Sequence, residues 1–313
     1  MDPSLLELLR CPATGGALTM RDGGLESVRG GTRYELTASG IPLFGAGIAT
    51  AEARAQQARY DAMAQSYVAN LSYAHTREYG RYLDQSLLAR VDMAGLDVVA
   101  EICCGRGEAF RLLGGRIGVG VGLDISTGML EVAVRELAGP GRAFVQGDAT
   151  RMPFAESSFG SVFMLGGIHH VPDRRRLFAE VHRILRPGGC LYFREPLNDF
   201  MLWRALRAVI YRLSPRLDAA SERPLRRHET VPLLDTAGLT LETWAGLGFI
   251  GFGLFMNSDV LVFNRLFRFL PGIRFLVGAS IRADEALRRL PGLEDAGLQV
   301  IGIARKGLKQ ADT

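Results

Sequence analysis

The sequence predicts an α/β fold: a doubly wound, mostly parallel seven-stranded sheet with helices on both faces. A small N-terminal module precedes it, and a helical insertion lies toward the C-terminus. Three observations predict this. Short apolar runs of strand length alternate with helical stretches from residue 98 onward. The first run ends in a glycine-bearing turn that opens a helix, Glu101-Ile-Cys-Cys-Gly-Arg-Gly-Glu108. The chain has 313 residues, 48% of them apolar and only 22% charged, which allows a large core and excludes a disordered or collagen-like chain.

Residues 1–47 read as a separate small unit. Leu5–Leu9 makes a short apolar helix, Cys11-Pro12 and Gly15-Gly16 mark a turn, and strand-like runs follow at Thr32–Leu36 and Ile41–Phe44. A unit this small is expected to lean on the rest of the chain for its core. The stretch Leu5–Phe44, with its Cys-Pro turn and Gly-Ile-Pro-Leu-Phe ending, resembles the zinc-ribbon-like activator subunit of some methyltransferases. That family's paired cysteines are absent, because Pro-Ala-Thr follows Cys11. A packing module without metal is therefore expected.

Residues 48–313 form the main domain. Its first part, 48–90, is helical, with Tyr60, Met63, Tyr67 and Leu71 at three-to-four spacing. Tyr60, Tyr67 and Tyr73 read either as a lid over a ligand or as an aromatic core stripe. The core, 91–196, carries strand-like runs at Val98–Ile102, Val119–Asp124, Ala143–Gln146, Ser161–Leu165 and Cys190–Glu195. Helical segments such as Met129–Leu137 and Arg174–Leu185 separate them. Cap segments are expected at 197–235 and 248–296, with further strands at Leu239–Trp244 and Leu298–Ala304. Phe200–Leu213 is amphipathic, with Trp203, Leu206, Val209 and Ile210 on one side. The second cap is rich in phenylalanine and punctuated by Arg265, Arg268 and Arg274.

Several chemistries are disfavoured. Four cysteines at 11, 103, 104 and 190 make neither a disulfide framework nor a zinc pattern. The longest suspicious apolar stretch, Thr243–Ser258, uncharged between Glu242 and Asp259, falls short of the roughly 20 residues of a spanning helix. No secretory leader is read at the N-terminus, so a cytoplasmic protein is expected. A dinucleotide fingerprint would place a third glycine where Phe110 stands; Phe110 is expected to obstruct close helix–strand packing, which disfavours NAD or FAD. The net charge of +4 and the interleaving of arginines with acids give no reason to expect nucleic acid.

The motifs recur in order: the Glu101–Glu108 turn, Asp124 closing the second run, Gly147-Asp148-Ala149 after the third, Met152-Pro153-Phe154, Ser158-Phe159, and the Arg186-Pro187-Gly188-Gly189 turn. This series resembles the class I S-adenosylmethionine-dependent methyltransferases, with their Rossmann-like sheet, and especially the ubiquinone and menaquinone C-methyltransferase branch. The resemblance implies S-adenosyl-L-methionine as cofactor. It implies Glu101 near the methionine amino group or the turn that holds it, and Cys103, Gly105 and Gly107 around the methionine moiety. Asp124 would accept the ribose hydroxyls, Ile125 and Met129 would flank the adenine, Asp148 and Ala149 would read its edge, and Leu165 would line the site. Cys103 stands where a glycine is usual, and Gly160 where an aspartate commonly follows Ser-Phe.

His169, His170 and Glu195 follow the fourth and fifth runs, where sulfonium and acceptor should meet. They read as candidates for orienting or deprotonating an acceptor, or as packing and ion-paired groups. His228 is a further candidate on the substrate side. Phenylalanines with arginines suit a hydrophobic, lipid-like or polyprenyl-type acceptor; the same composition fits peripheral membrane contact, a helical cap or a homodimer interface. Alternatives on the same fold are a cyclase, an aminocarboxypropyl transferase or a non-catalytic cofactor-binding protein.

Overall fold

The computed structural model describes residues 3–47, 54, 57–58, 73–213, 223–256 and 262–308; Tyr60 and Tyr67 lie outside the described residues. The N-terminal unit opens with α1 (Pro3–Leu6) and continues into a three-stranded antiparallel sheet, β1 (Leu18–Arg21), β2 (Gly24–Ser27) and β3 (Arg33–Tyr34). Its first hairpin turns on Asp22 and Gly23, with φ of 48° and 77°. That left-handed pair is what a two-residue hairpin turn demands. The strands expected at Thr32–Leu36 and Ile41–Phe44 shrink to two residues and to single bridges. One of these, Leu43 to Gln146, runs parallel against the main sheet. Leu5, Leu9, Leu25, Tyr34 and Phe44 share one apolar cluster with Val145, Met152, Phe154 and Phe159 of the main domain, so the unit does lean on its neighbour.

After α2 (Ala74–Leu88) come β4 (Val98–Ile102), α3 (Glu108–Leu113), β5 (Val119–Asp124), α4 (Thr127–Leu137) and β6 (Arg142–Gln146). The chain continues through β7 (Phe159–Leu165), α5 (Arg174–Ile184), β8 (Leu185–Pro196), α6 (Met201–Leu213) and α7 (Arg227–Thr236). It ends with β9 (Leu239–Leu247), α8 (Ile250–Met256), α9 (Ile273–Leu287) and β10 (Gln299–Lys306). The main sheet has the order β6-β5-β4-β7-β8-β10-β9. Strands β6, β5, β4, β7 and β8 are parallel, and β10 runs antiparallel to both its neighbours. This is the mostly parallel, seven-stranded sheet that the alternation predicts. Within β8, Arg186–Gly189 loop out: the pairing jumps from Phe159–Leu185 to Ser161–Cys190.

Phe110 corrects the sequence reading. It is buried rather than obstructive, with its ring 5.7 Å from that of Phe144 and over Gly120 of β5. A Cβ at Gly120 would lie 3.0 Å from that ring. The glycine that permits close packing has moved from helix to strand. Gly160 has a similar account: Asp97 brings a carboxylate oxygen to 2.9 Å of where its Cβ would stand, and pairs with Arg186 at 2.6 Å.

The cap is tied down by one buried acid. Asp284 of α9 accepts from Tyr79 Oη at 2.9 Å and from the backbone N–H of Phe249, Gly251 and Phe252 at 2.9, 3.0 and 3.3 Å. It thereby caps α8 and joins it to α2. Sheet order reverses between β4 and β7, and such a switch opens a crevice at the carboxyl ends of the strands.

Candidate functional site

Beyond Ile102 the chain passes through Cys103, Gly105 and Gly107, with φ of 53°, 52° and 83°, before α3 begins. Only glycine enters this region freely, so Cys103 carries strain of about 1–2 kcal/mol. Gly167, after β7, supplies the room: a Cβ there would overlap the Cys103 side chain. Burial, then Asp124, Glu195 and Asp148, push the Cys103 thiol well above its usual range. Those three carboxylates belong to the ends of β5 and β8 and the turn after β6. They make the crevice mouth negative.

Glu101 is fully buried in β4 and accepts from Ala109 N at 2.8 Å and Phe110 N at 3.3 Å. It holds the first turn of α3. Burial pushes its carboxyl up to about 8. Asp124 accepts from Gly105 N at 2.7 Å and from Ser126 N at 2.8 Å. Ser126 in turn caps α4 by accepting from Met129 N at 3.1 Å. The carboxylate at the tip of β5 therefore fixes the glycine turn and the next helix start together.

Met129 is buried, with its methyl 3.3 Å from where a Gly105 Cβ would stand. Ile125 is half-buried, and its carbonyl accepts from Gln146 Nε2 at 3.1 Å. Asp148 accepts from Thr150 N and Oγ1 at 2.7 and 2.8 Å, beside the buried Ala149. Leu165 is half-buried at the end of β7. It is followed by Gly166 (φ 82°), around which no heavy atom lies within 4 Å of a Cβ position.

Glu195 is wholly buried at the end of β8. One oxygen accepts from the backbone N–H of Gly167 and Ile168, both at 2.8 Å; the other meets His169 Nδ1 at 2.7 Å and the His169 N–H at 3.4 Å. Facing a carboxylate, Nδ1 is the protonated nitrogen, which leaves Nε2 as the basic atom of the ring. The His170 ring lies 3.8 Å from that of His169, centre to centre. His228 makes a different contact. Its side chain is 64% exposed, next to Glu229, and lines an open cleft with Asp199 and Asp295.

Sequence reading missed Gly167 and Gln146. The Gly166-Gly167 pair directly after an apolar run was the available signal for the first. Gln146 gave none: its amide bridges Ile125 O and Gly45 N, the latter at 2.7 Å and 101 positions away. Among the described residues no group of three or more His, Cys, Asp or Glu side chains could hold a metal ion.

Residues 100–193 match the family described as "Methyltransferase domain". The chain is 34% identical over 136 residues to the phthiotriol/phenolphthiotriol dimycocerosates methyltransferase of Mycobacterium tuberculosis, covering 42% of this chain and 48% of that one. It is 32% identical over 160 residues to the demethylmenaquinone methyltransferase of Thermobifida fusca, covering 47% of this chain and 66% of that one. Thus the chain spans about half the length of the first of these relatives. Among solved structures, the cyclase SpnF superposes with a TM-score of 0.58 at 17% identity, covering 81% of this chain and 95% of that one. That likeness concerns the fold. The turn at Cys103–Gly107, Asp124 of β5 and Asp148 after β6 all fall within the matched span: residues 100–193 match a methyltransferase domain.

Proposed function

We propose that this chain transfers a methyl group from S-adenosylmethionine to a hydrophobic, lipid-like or polyprenyl-type acceptor. The observation that carries the reading is the convergence of Asp124, Asp148 and Glu195 on the left-handed turn at Cys103–Gly107. A negative crevice of that kind suits a ligand bearing a sulfonium and an ammonium group. The donor set fits as well. A carboxylate accepts up to about four hydrogen bonds, so Asp124 can hold the Gly105 turn and take sugar hydroxyls together. Asp148 and the Ala149 backbone suit an adenine edge, with Ile125, Met129 and Leu165 as apolar walls.

When bound, the cofactor supplies a methyl group on a good leaving group, so the protein's task is alignment, exclusion of water and removal of a proton where the acceptor carries one. Glu101, by pinning the α3 start, and Glu195, by pinning the 167–169 turn, keep the crevice walls in register. His169, oriented by Glu195, has its basic Nε2 available to take a proton. The apolar cap and the names of the two relatives, which carry a dimycocerosate and a demethylmenaquinone, support a greasy acceptor.

The test begins with titration calorimetry against S-adenosylmethionine and S-adenosylhomocysteine. Asp124→Ala should weaken both by about 1–3 kcal/mol, the worth of a charge-assisted hydrogen bond. An unchanged dissociation constant overturns the ribose assignment. Transfer of label from a methyl-labelled cofactor into a lipid extract then separates methyl transfer from cyclisation or mere binding.

A further inference from the structure

The cap leaves a greasy tip uncovered. Between the 3-10 turn Val262–Phe269 and α9, Pro271 and Gly272 (φ 72°) reverse the chain. The inward residues of this reversal find partners: Ile273 and Val277 are buried, and Phe267 packs against Phe255, ring centres 5.6 Å apart. The outward ones do not. Leu266, Phe269 and Phe275 are 65%, 69% and 73% exposed, with Leu270 and Leu276 exposed beside them. Five large apolar side chains within eleven residues is more than a soluble surface ordinarily shows in one place.

The charge around the tip is of one sign. From Val260 to Ala283 the sequence has four arginines and no acid. Arg268 and Arg274 are exposed within the tip, and the Arg268 guanidinium lies 4.6 Å above the centre of the Phe269 ring. Cations set among exposed aromatics match the boundary between lipid headgroups and acyl chains. Among the described residues no helix is long and apolar enough to cross a membrane, so such a tip would lie on the surface. A second copy of the chain is a poorer occupant: a two-fold contact through the tip would set Arg268 and Arg274 against their own equivalents.

We propose that residues 266–276 dock this protein onto an anionic lipid bilayer, with Phe269 and Phe275 inserted at headgroup depth and Arg268 and Arg274 on the lipid phosphates. The proposal does not rest on the methyl-transfer reading, because docking is measured without cofactor.

The experiment is co-sedimentation of the full chain with phosphatidylcholine vesicles, pure or doped with phosphatidylglycerol. The protein should pellet with the doped vesicles and stay in solution with the pure ones, and added salt should weaken the association. Phe269→Ser/Phe275→Ser should lower partitioning about tenfold or more, and Arg268→Glu/Arg274→Glu at least about tenfold. All four side chains are exposed, so both double variants should fold and melt cooperatively as the parent does. If either variant is misfolded, Phe275→Ser alone carries the same test. Equal pelleting on both vesicles, no pelleting, or variants that pellet like the parent would overturn the proposal. So would a dimer in sedimentation velocity that Phe275→Ser dissociates.

Discussion

Cys103 and Gly167 share one space: the cysteine stands in a left-handed conformation at the end of β4, and its side chain fills the volume a Cβ at Gly167 would need. The glycine missing from the turn has been transferred to the facing loop. Gly167→Ala should therefore destabilise the fold by about 1–3 kcal/mol through overpacking. Cys103→Gly should relieve that clash and remove the left-handed strain as well. In a double-mutant cycle followed by urea unfolding, the two changes should couple favourably by about 1 kcal/mol or more. Additive effects would show that the two residues do not compete for space.

Glu195 sets the tautomer of His169. A glutamine at 195 can still accept from Gly167 and Ile168 through its oxygen, while its amide would face His169 Nδ1 and donate. The ring would then carry its proton on Nε2 and lose its basic atom there. Glu195→Gln should keep the fold and weaken cofactor binding only by the loss of one crevice charge, yet lower turnover by about two to four orders of magnitude if His169 takes a proton. Nitrogen-15 shifts of the His169 ring check the tautomer with no acceptor in hand. An unchanged ring pattern would refute the assignment.

The five parallel strands were legible because each carries a short apolar run, and burial on both faces leaves little else such runs can do. The β1–β2 hairpin was also written, in Asp22-Gly23, but a four-residue strand exposing three of its side chains, as β1 does, gives almost no apolar signal. The acids of the crevice were legible as types at strand ends. Their partners were not: Glu195 and His169 lie 26 positions apart, and Asp284 and Tyr79 lie 205 apart, brought together only by sheet order and cap packing. Phe110 was misread because sequence shows a bulky residue where a glycine is expected, but not that Gly120 stands beneath its ring.

Glu101 makes stability fall with rising pH. Its folded carboxyl titrates near 8 because burial raises it from 4.5, while the unfolded chain releases the proton near the lower value. The contribution is whole below about pH 4.5 and is lost as pH rises toward about 8, at no more than about 1.4 kcal/mol per unit. Glu101→Gln cannot titrate and accepts well from only one of the Ala109 and Phe110 N–H groups. The protonated carboxyl of the parent is limited in the same way, so the variant should match the parent near pH 5, show a flatter slope, and be the more stable of the two near pH 8. A parent slope retained in the glutamine variant would assign the titration to another group.

His75 acts in the opposite direction on the cap. It is fully buried near the start of α2, its ring among those of Tyr73, Phe255 and Phe267 at 5.6, 6.4 and 5.9 Å, and neither ring nitrogen has a hydrogen-bond partner among the described residues. Arg268, lying over Tyr73, adds a positive charge nearby. Burial holds the imidazole below its ordinary 6.5, so the unfolded chain binds the proton more tightly. Stability is whole above about pH 6.5 and falls as the solution is acidified below it. His75→Phe should remove that acid limb and raise stability at neutral pH by about 1 kcal/mol or more, because no unpaired polar ring is then buried. Thermal melts between pH 7 and 5 decide the matter: a phenylalanine variant that loses stability as steeply as the parent would clear His75 of the effect.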